Sequence, residues 1–229
     1  MTINKPRSIW LPRLLSLCLL CLTGLGSAQK APSTVPTVTF TCDFPGSEPS
    51  HYGISISSDG HASYISDGKL TRDSDPDEPF TMNFPVSGAT VTRVFDLAKS
   101  AGYFSGNIDL KKKNIAFTGD KTLAYSDGKN TSANYNYSPV PAVQELTALF
   151  QKLSATLEFG RRLEFDYRYQ KLALDDELKR MEEAANRGEL LEVSAAAPLL
   201  PKIMQDPSVI NTVRARAQRL LGHESGGSN

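Results

Sequence analysis

The chain has little cysteine: three in 229 residues, at positions 18, 21 and 42. Two of these fall in a segment expected to be removed, so Cys42 is left alone and no disulfide framework can staple the fold. The remainder must stand on its own core. No apolar run reaches the about 18 residues that a membrane-spanning helix needs. Basic residues (25) do not outnumber acidic ones (25), so the chain offers no basic field for nucleic-acid phosphates. Motifs of chemistry are missing as well. There is no Gly-x-Ser-x-Gly elbow and no Ser-x-x-Lys opening a helix, and Ser105 between Phe104 and Gly106 lacks the elbow pattern. Gly226-Gly227 belongs to a polar tail and forms no phosphate-cradling loop. No internal repeat of solenoid length is present.

What is present begins with an export signal. Lys5, Arg7 and Arg13 form a basic front, Leu14 to about Leu25 an apolar run, and Gly26-Ser27-Ala28 a small-residue cleavage site. A core of roughly 12 apolar residues is too short to span a bilayer and matches a secretory signal. Trp10 and Leu11 extend the apolar run and favour the rival reading, a retained anchor. A lipoprotein is disfavoured, because Cys18 and Cys21 each follow leucine. Residues 1–28 are therefore expected to be a signal peptide, with the mature protein periplasmic or extracellular and touching the membrane only through that signal. Losing Lys5, Arg7 and Arg13 leaves 22 basic against 25 acidic residues, a net charge near −3.

Residues 29–36, rich in Pro, Ser, Thr and Ala, read as a linker. Residues 37–137 read as an antiparallel α+β domain. In it, Tyr52 to Ser58 and His61 to Ile65 flank Asp59-Gly60, a strong hairpin signal. If Asp59 and Gly60 are the two turn residues, partner numbers sum to about 119, which places Ile54 opposite Ile65 and Ile56 opposite Ser63. Phe80 to Phe84 reads as a strand and Ala89 to Ala101 as a helix stopped by Gly102. Ile115 to Thr118, Thr122 to Tyr125 and Ala133 to Tyr137 read as further strands, separated by turns at Gly119-Asp120 and Asp127-Gly128.

From Pro139 the period changes from two to 3.6. Val143, Leu146, Phe150, Leu153 and Leu157 form one apolar stripe; Leu163, Tyr167, Leu174, Leu178 and Met181 form another. The expectation is one long, kinked helix ending at Gly188, with a last helix starting at Asp206-Pro207 and running to Gly222. Glu158 with Arg162, Glu164 with Arg168, Asp175 with Lys179 and Asp176 with Arg180 are spaced as solvated i, i+4 pairs. The helical region thus covers 138–222, and 223–229 is a disordered tail. The fold class expected is α+β: an antiparallel sheet with packed helices, followed by a long helical C-terminal region.

Candidate sites are weighed against plainer roles. Cys42 ends an alternating strand and is expected to be a buried small hydrophobe. His51 and His61 fall on opposite faces of the expected hairpin, with His61 opposite Ser58 and His51 opposite Gly68, and His223 lies in the tail, so no shared metal site is expected. Asp73, Asp75 and Asp77 begin like a calcium loop, but Glu78 replaces its glycine and Phe84 its closing glutamate. Phe159, Phe165, Tyr167 and Tyr169, with Tyr135 and Tyr137, are expected to bury against the sheet rather than line a groove. Arg214, Arg216 and Arg219 suit the negative end of a helix dipole. No catalytic, cofactor-binding or metal-binding residue is assigned, and no cofactor is expected.

The strand, Asp59-Gly60 turn and strand from Tyr52 to Tyr64, the helix ending at Gly102-Tyr103-Phe104, the segment Leu123 to Gly128 and the helix from Ala142 together resemble small exported bacterial domains of uncharacterised function. The resemblance covers roughly Thr37 to Leu157 and implies no catalytic residue. The expectation is an exported, non-enzymatic interaction or binding module that uses a protein partner or a homodimer through residues 142–185. The rival is a hydrolase whose carboxylates come together only in the fold.

Overall fold

Alternating apolar and polar residues build six strands: β1 (Thr37–Asp43), β2 (His51–Ser57), β3 (His61–Ser66), β4 (Phe80–Pro85), β5 (Asp120–Ser126) and β6 (Asn130–Tyr135). The computed structural model describes residues 35–70, 79–112 and 114–223. Residues 1–28, expected to be a signal peptide, most of the expected linker, the acidic stretch at Asp73 to Glu78 and residues 224–229 lie outside the described residues. The strands form one antiparallel sheet in the order β4-β3-β2-β1-β5-β6. Its inner face gathers Val38, Phe40, Ile54, Ile56, Tyr64 and Leu123, all buried.

The helices are α1 (Gly88–Ser100), α2 (Pro141–Tyr169), α3 (Leu174–Asn186), the short α4 (Val193–Ala196) and α5 (Leu200–Gln205), and α6 (Asn211–His223). The α+β class expected from sequence is the observed one. Ser87 caps α1 by accepting from the Thr90 N–H. After α1 the chain turns through Gly102, Tyr103 and Phe104, three consecutive residues at positive φ. For the two aromatics this is unfavourable backbone, and burial of Phe104 in the core offsets it.

One helix serves two cores. Val143, Leu146, Phe150, Leu153 and Leu157 of α2 pack on the sheet with Val94 and Leu97 of α1. Further along α2, Leu163 joins Leu174, Leu178 and Met181 of α3 and Val213, Ala217 and Leu220 of α6. Glu177, only 1% exposed, ties α3 to α2 by accepting from Arg162 Nε at 2.7 Å and from Arg180. Glu192, itself at positive φ, reaches back to α1: its Oε1 accepts from the Ser87 N–H (3.1 Å) and from the Ser87 and Thr90 hydroxyls (both 2.5 Å).

Several expected details differ. The β2–β3 loop has three residues, because Asp59 accepts from the His61 N–H and only Gly60 takes positive φ (+89°). A two-residue type I′ turn needs positive φ at both. The register therefore shifts by one, to Ile54 opposite Tyr64 and Ile56 opposite Ala62. Ile115 to Thr118 is not a strand; Thr118 is instead pinned to Asn136 by its N–H and its hydroxyl. β6 stops at Tyr135, so Tyr135 is buried while Tyr137 is exposed.

The long helix is two helices, broken at residues 170–173, and Gly160 lies buried within the first of them. α6 starts at Asn211, since Asp206 folds its carboxylate onto the Ser208 N–H in a local turn. Of the four expected i, i+4 pairs, only Glu164 with Arg168 (3.0 Å) forms among the described residues. Glu158 points inward, and Arg162 and Arg180 serve Glu177. Arg216 bonds Asp175 and Glu182 of α3, Arg219 bonds Glu182, and Arg214 bonds Asn211. The first two thus join α6 to α3 and do not merely complement a dipole.

Replacing Glu177 by alanine leaves two guanidiniums without their shared carboxylate. We expect a loss of about 3 kcal/mol, against under about 1 kcal/mol for Glu164→Ala at the exposed pair. Urea denaturation of the two variants measures the contrast, and equal losses would refute it.

Candidate functional site

The residue pairings place one polar row at the end of the inner sheet face: Phe80, Ser66, Tyr52, Cys42, Lys121 and Tyr135, one from each strand in spatial order. α2 crosses above this row. Thr147 meets the Tyr135 hydroxyl over β6, Ser154 and Glu158 meet Tyr64 over β3, and Arg161 lies 4.8 Å from the Phe80 ring over β4. The side of α2 from Gln144 through Thr147, Gln151, Ser154 and Glu158 to Arg162 carries amides, hydroxyls and charges. The apolar stripe lies beside it, so the helix presents both to the sheet.

Each polar group of the row has partners. Lys121 is 4% exposed, and its Nζ donates to Thr118 O (2.7 Å), Thr118 Oγ1 (2.9 Å), Gly119 O (3.2 Å) and Asn136 O (3.1 Å). Burial pulls its pKa down from the ordinary lysine value, and Cys42 and Asp120 oppose this. Burial pushes the Cys42 thiol up, with Lys121 working against the shift. A thiol so held carries little thiolate at neutral pH, which suits a packed side chain more than a nucleophile.

Glu158, 3% exposed, accepts at Oε1 from Tyr64 (2.8 Å) and Ser66 (2.6 Å). Its Oε2 has no hydrogen-bond partner among the described residues. Arg161 Nη1 stands 4.0 Å from that oxygen while donating to Gly68 O at 2.6 Å. Gly68 is packed so closely that a Cβ there would lie 2.6 Å from Oε2.

Between α2 and the loops at 44–49 and 117–119 lies a groove. One hollow of about 440 Å³ is lined by Phe44, Tyr52, Gln151, Ala155, Glu158 and Phe159 among others. A second of about 380 Å³ is lined by Lys121, Tyr135, Tyr137, Gln144, Thr147 and Gln151. Thr118 and Gln151 border both, so the hollows run together along α2. An apolar body with a few convergent polar groups is the usual make-up of a binding cleft.

The expected residues are distributed as follows. Cys42 is buried in the row. His51 and His61 share the outer face of the sheet, not opposite faces, because the three-residue loop puts His61 opposite Pro85 and beside Ser57. They stand at opposite ends of β2 and β3, and His51 bonds Asp43 at 2.6 Å. The aromatic set divides. Tyr135 packs against α2, Phe159 and Tyr137 border the groove, and Tyr167 joins the second core. Phe165 and Tyr169 pair at 5.2 Å with Tyr169 67% exposed, so burial against the sheet does not describe them.

No cluster of three or more His, Cys, Asp or Glu able to hold a metal occurs among the described residues, and no helix among them is long and apolar enough to cross a membrane. Lys121 is not picked out by the sequence reading, and Glu158 is read there only as a solvated partner of Arg162. Their signals were there: Lys121 shares the inward parity of Leu123, and Glu158 adjoins Leu157 on the stripe.

Burial raises the hydroxyl pKa of Tyr52, Tyr64 and Tyr135, and the Glu158 charge adds to the effect at Tyr64. Their folded values exceed the unfolded value near 10, so the stabilisation is complete below that pH and is lost as pH rises above it. Lys121 acts oppositely below its ordinary 10.5. We expect these three tyrosines to ionise only together with unfolding, in one cooperative step above about pH 10. Ultraviolet tyrosinate absorbance followed alongside circular dichroism tests this; gradual ionisation of all eight tyrosines with the fold intact would contradict it.

No protein-family model matches the chain, and a search of curated proteins finds no similar one.

Proposed function

We propose that this chain is an exported, non-enzymatic binding module that holds an extended segment of a protein partner in the groove along α2. The observation that carries the reading is the continuity of the two hollows between Gln144 and Arg162. Eighteen residues of helix rise about 27 Å, the length of about eight residues of extended chain. Gln151 supplies a donor and an acceptor for a peptide backbone and Gln144 its Oε1 acceptor, the Gln144 amide N–H groups being held by Tyr137 and Ser138 O, while Phe44, Tyr52 and Phe159 supply apolar contacts. The export half of the reading rests on residues 1–28. The apolar stripes of α2 and α3 are used inside the chain, so a homodimer through this region would be built from their outer, charged faces.

The test is peptide-display selection against the chain lacking residues 1–28, counter-selected with Gln151→Trp, which fills the groove where its two hollows meet. Peptides that bind the parent at least tenfold more tightly than the variant support the reading. Peptides that bind both equally, or none at all, refute it, and native mass spectrometry of the same sample reports a dimer.

A further inference from the structure

The outer face of the sheet carries a second pattern. With the observed register, three transverse rows of six residues span all the strands on this side. The middle row reads Asn83, Ser63, Ser55, Thr39, Ala124 and Ser132. The flanking rows add Thr37, Ser57 and Ser126 on one side and Thr41, Thr122 and Asn134 on the other. Of these eighteen positions none is Asp, Glu, Lys or Arg, where the 22% charged content of the chain would place about four. Asp43 and Asp120 stand beyond these rows, at the sheet end beside His51, and within the rows His61 pairs with Asp59 of the β2–β3 loop at 3.2 Å.

Strand formation does not explain this choice. Threonine, at five of the eighteen places, suits a strand, but asparagine is depleted in strands and serine is not among the residues enriched there, yet the two take eight places. The hydroxyls align across strands, with Thr39 to Ser55 at 2.9 Å, Thr37 to Ser57 at 3.3 Å and Thr122 to Asn134 at 3.1 Å. The face is also concave on its β2–β4 side, where Ser55, Ser57, Ser63, Asn83, His61 and Pro85 border a hollow of about 510 Å³.

We propose that this outer face binds a neutral polysaccharide. Serine and threonine hydroxyls and asparagine amides both donate and accept hydrogen bonds, as sugar hydroxyls do. A charged side chain would lose hydration against such a polymer without gaining a counter-charge, which accounts for the missing charges. His61 and Pro85, opposite each other at one border of the hollow, add two rings to this border. The site lies across the sheet from the groove along α2 and does not rest on the reading of that groove.

Affinity gel electrophoresis of the signal-less chain through galactomannan, xyloglucan and β-1,3-glucan, with dextran sulfate as the charged comparison, tests the proposal. The expected result is retardation by at least one neutral polymer that is unchanged between about 0.05 and 0.5 M salt, because no ion pair is involved. The double variant Ser63→Lys, Asn83→Glu alters two exposed side chains and should lose at least tenfold in affinity at unchanged melting temperature, while Lys152→Ala on α2 should bind as the parent does. The proposal is overturned by no retardation in any neutral polymer, by retardation in dextran sulfate alone, or by binding that the double variant leaves intact. A dimeric native mass that the double variant abolishes would assign the face to a second copy and overturn it equally.

Discussion

Everything in this fold depends on where α2 crosses the sheet, and the buried carboxylate of Glu158 helps set that crossing. Hydrogen bonds from Tyr64 and Ser66 reach one of its oxygens, and bonds to a charged group contribute about 1.5–3 kcal/mol each. Apolar packing alone tolerates sliding of a helix over a sheet, whereas two directed bonds to one oxygen do not. One turn later, on the same side of α2, Arg162 reaches Glu177. Within a single turn the helix is thus tied both to the sheet and to α3. The cost is an unpartnered Oε2, which the nearby Arg161 guanidinium offsets in part.

The layout was legible where periodicity decides structure. Strands β1 to β6, α1 and the apolar stripe of α2 follow from apolar spacing of two or 3.6 residues. What was not legible turned on single side-chain bonds. Asp59 chose the His61 N–H, which lengthened a turn by one residue and moved the hairpin register. Asp206 chose the Ser208 N–H, which delayed α6. The break at residues 170–173 carries no glycine or proline, and the charge pairing that accompanies it joins residues far apart in sequence. Glu158 and Arg162 illustrate the general difficulty, because their spacing suits a surface pair while their partners, Tyr64 and Glu177, come from other elements.

The two sides of the sheet use opposite chemistry. On the inner side, charge is admitted only in one row and there is enclosed by oxygens, as around Lys121. On the outer side, Asp, Glu, Lys and Arg are confined to one row at the sheet end, where Asp43 and Asp120 stand. A sheet that segregates charge in this way has one side suited to burial under a helix and another suited to contact with something uncharged.

The bond from Glu192 to Ser87 spans 105 residues, and that span bears on the order in which the molecule can be completed. A chain made from its N-terminus presents α1 long before the carboxylate that finishes its first turn. β1 likewise waits for β5 before it is paired on both edges. Contacts between distant segments form late, so the newly made N-terminal half stays open until the C-terminal helices exist. On the proposed reading of residues 1–28 as an export signal, such lateness suits a chain that crosses a narrow channel unfolded.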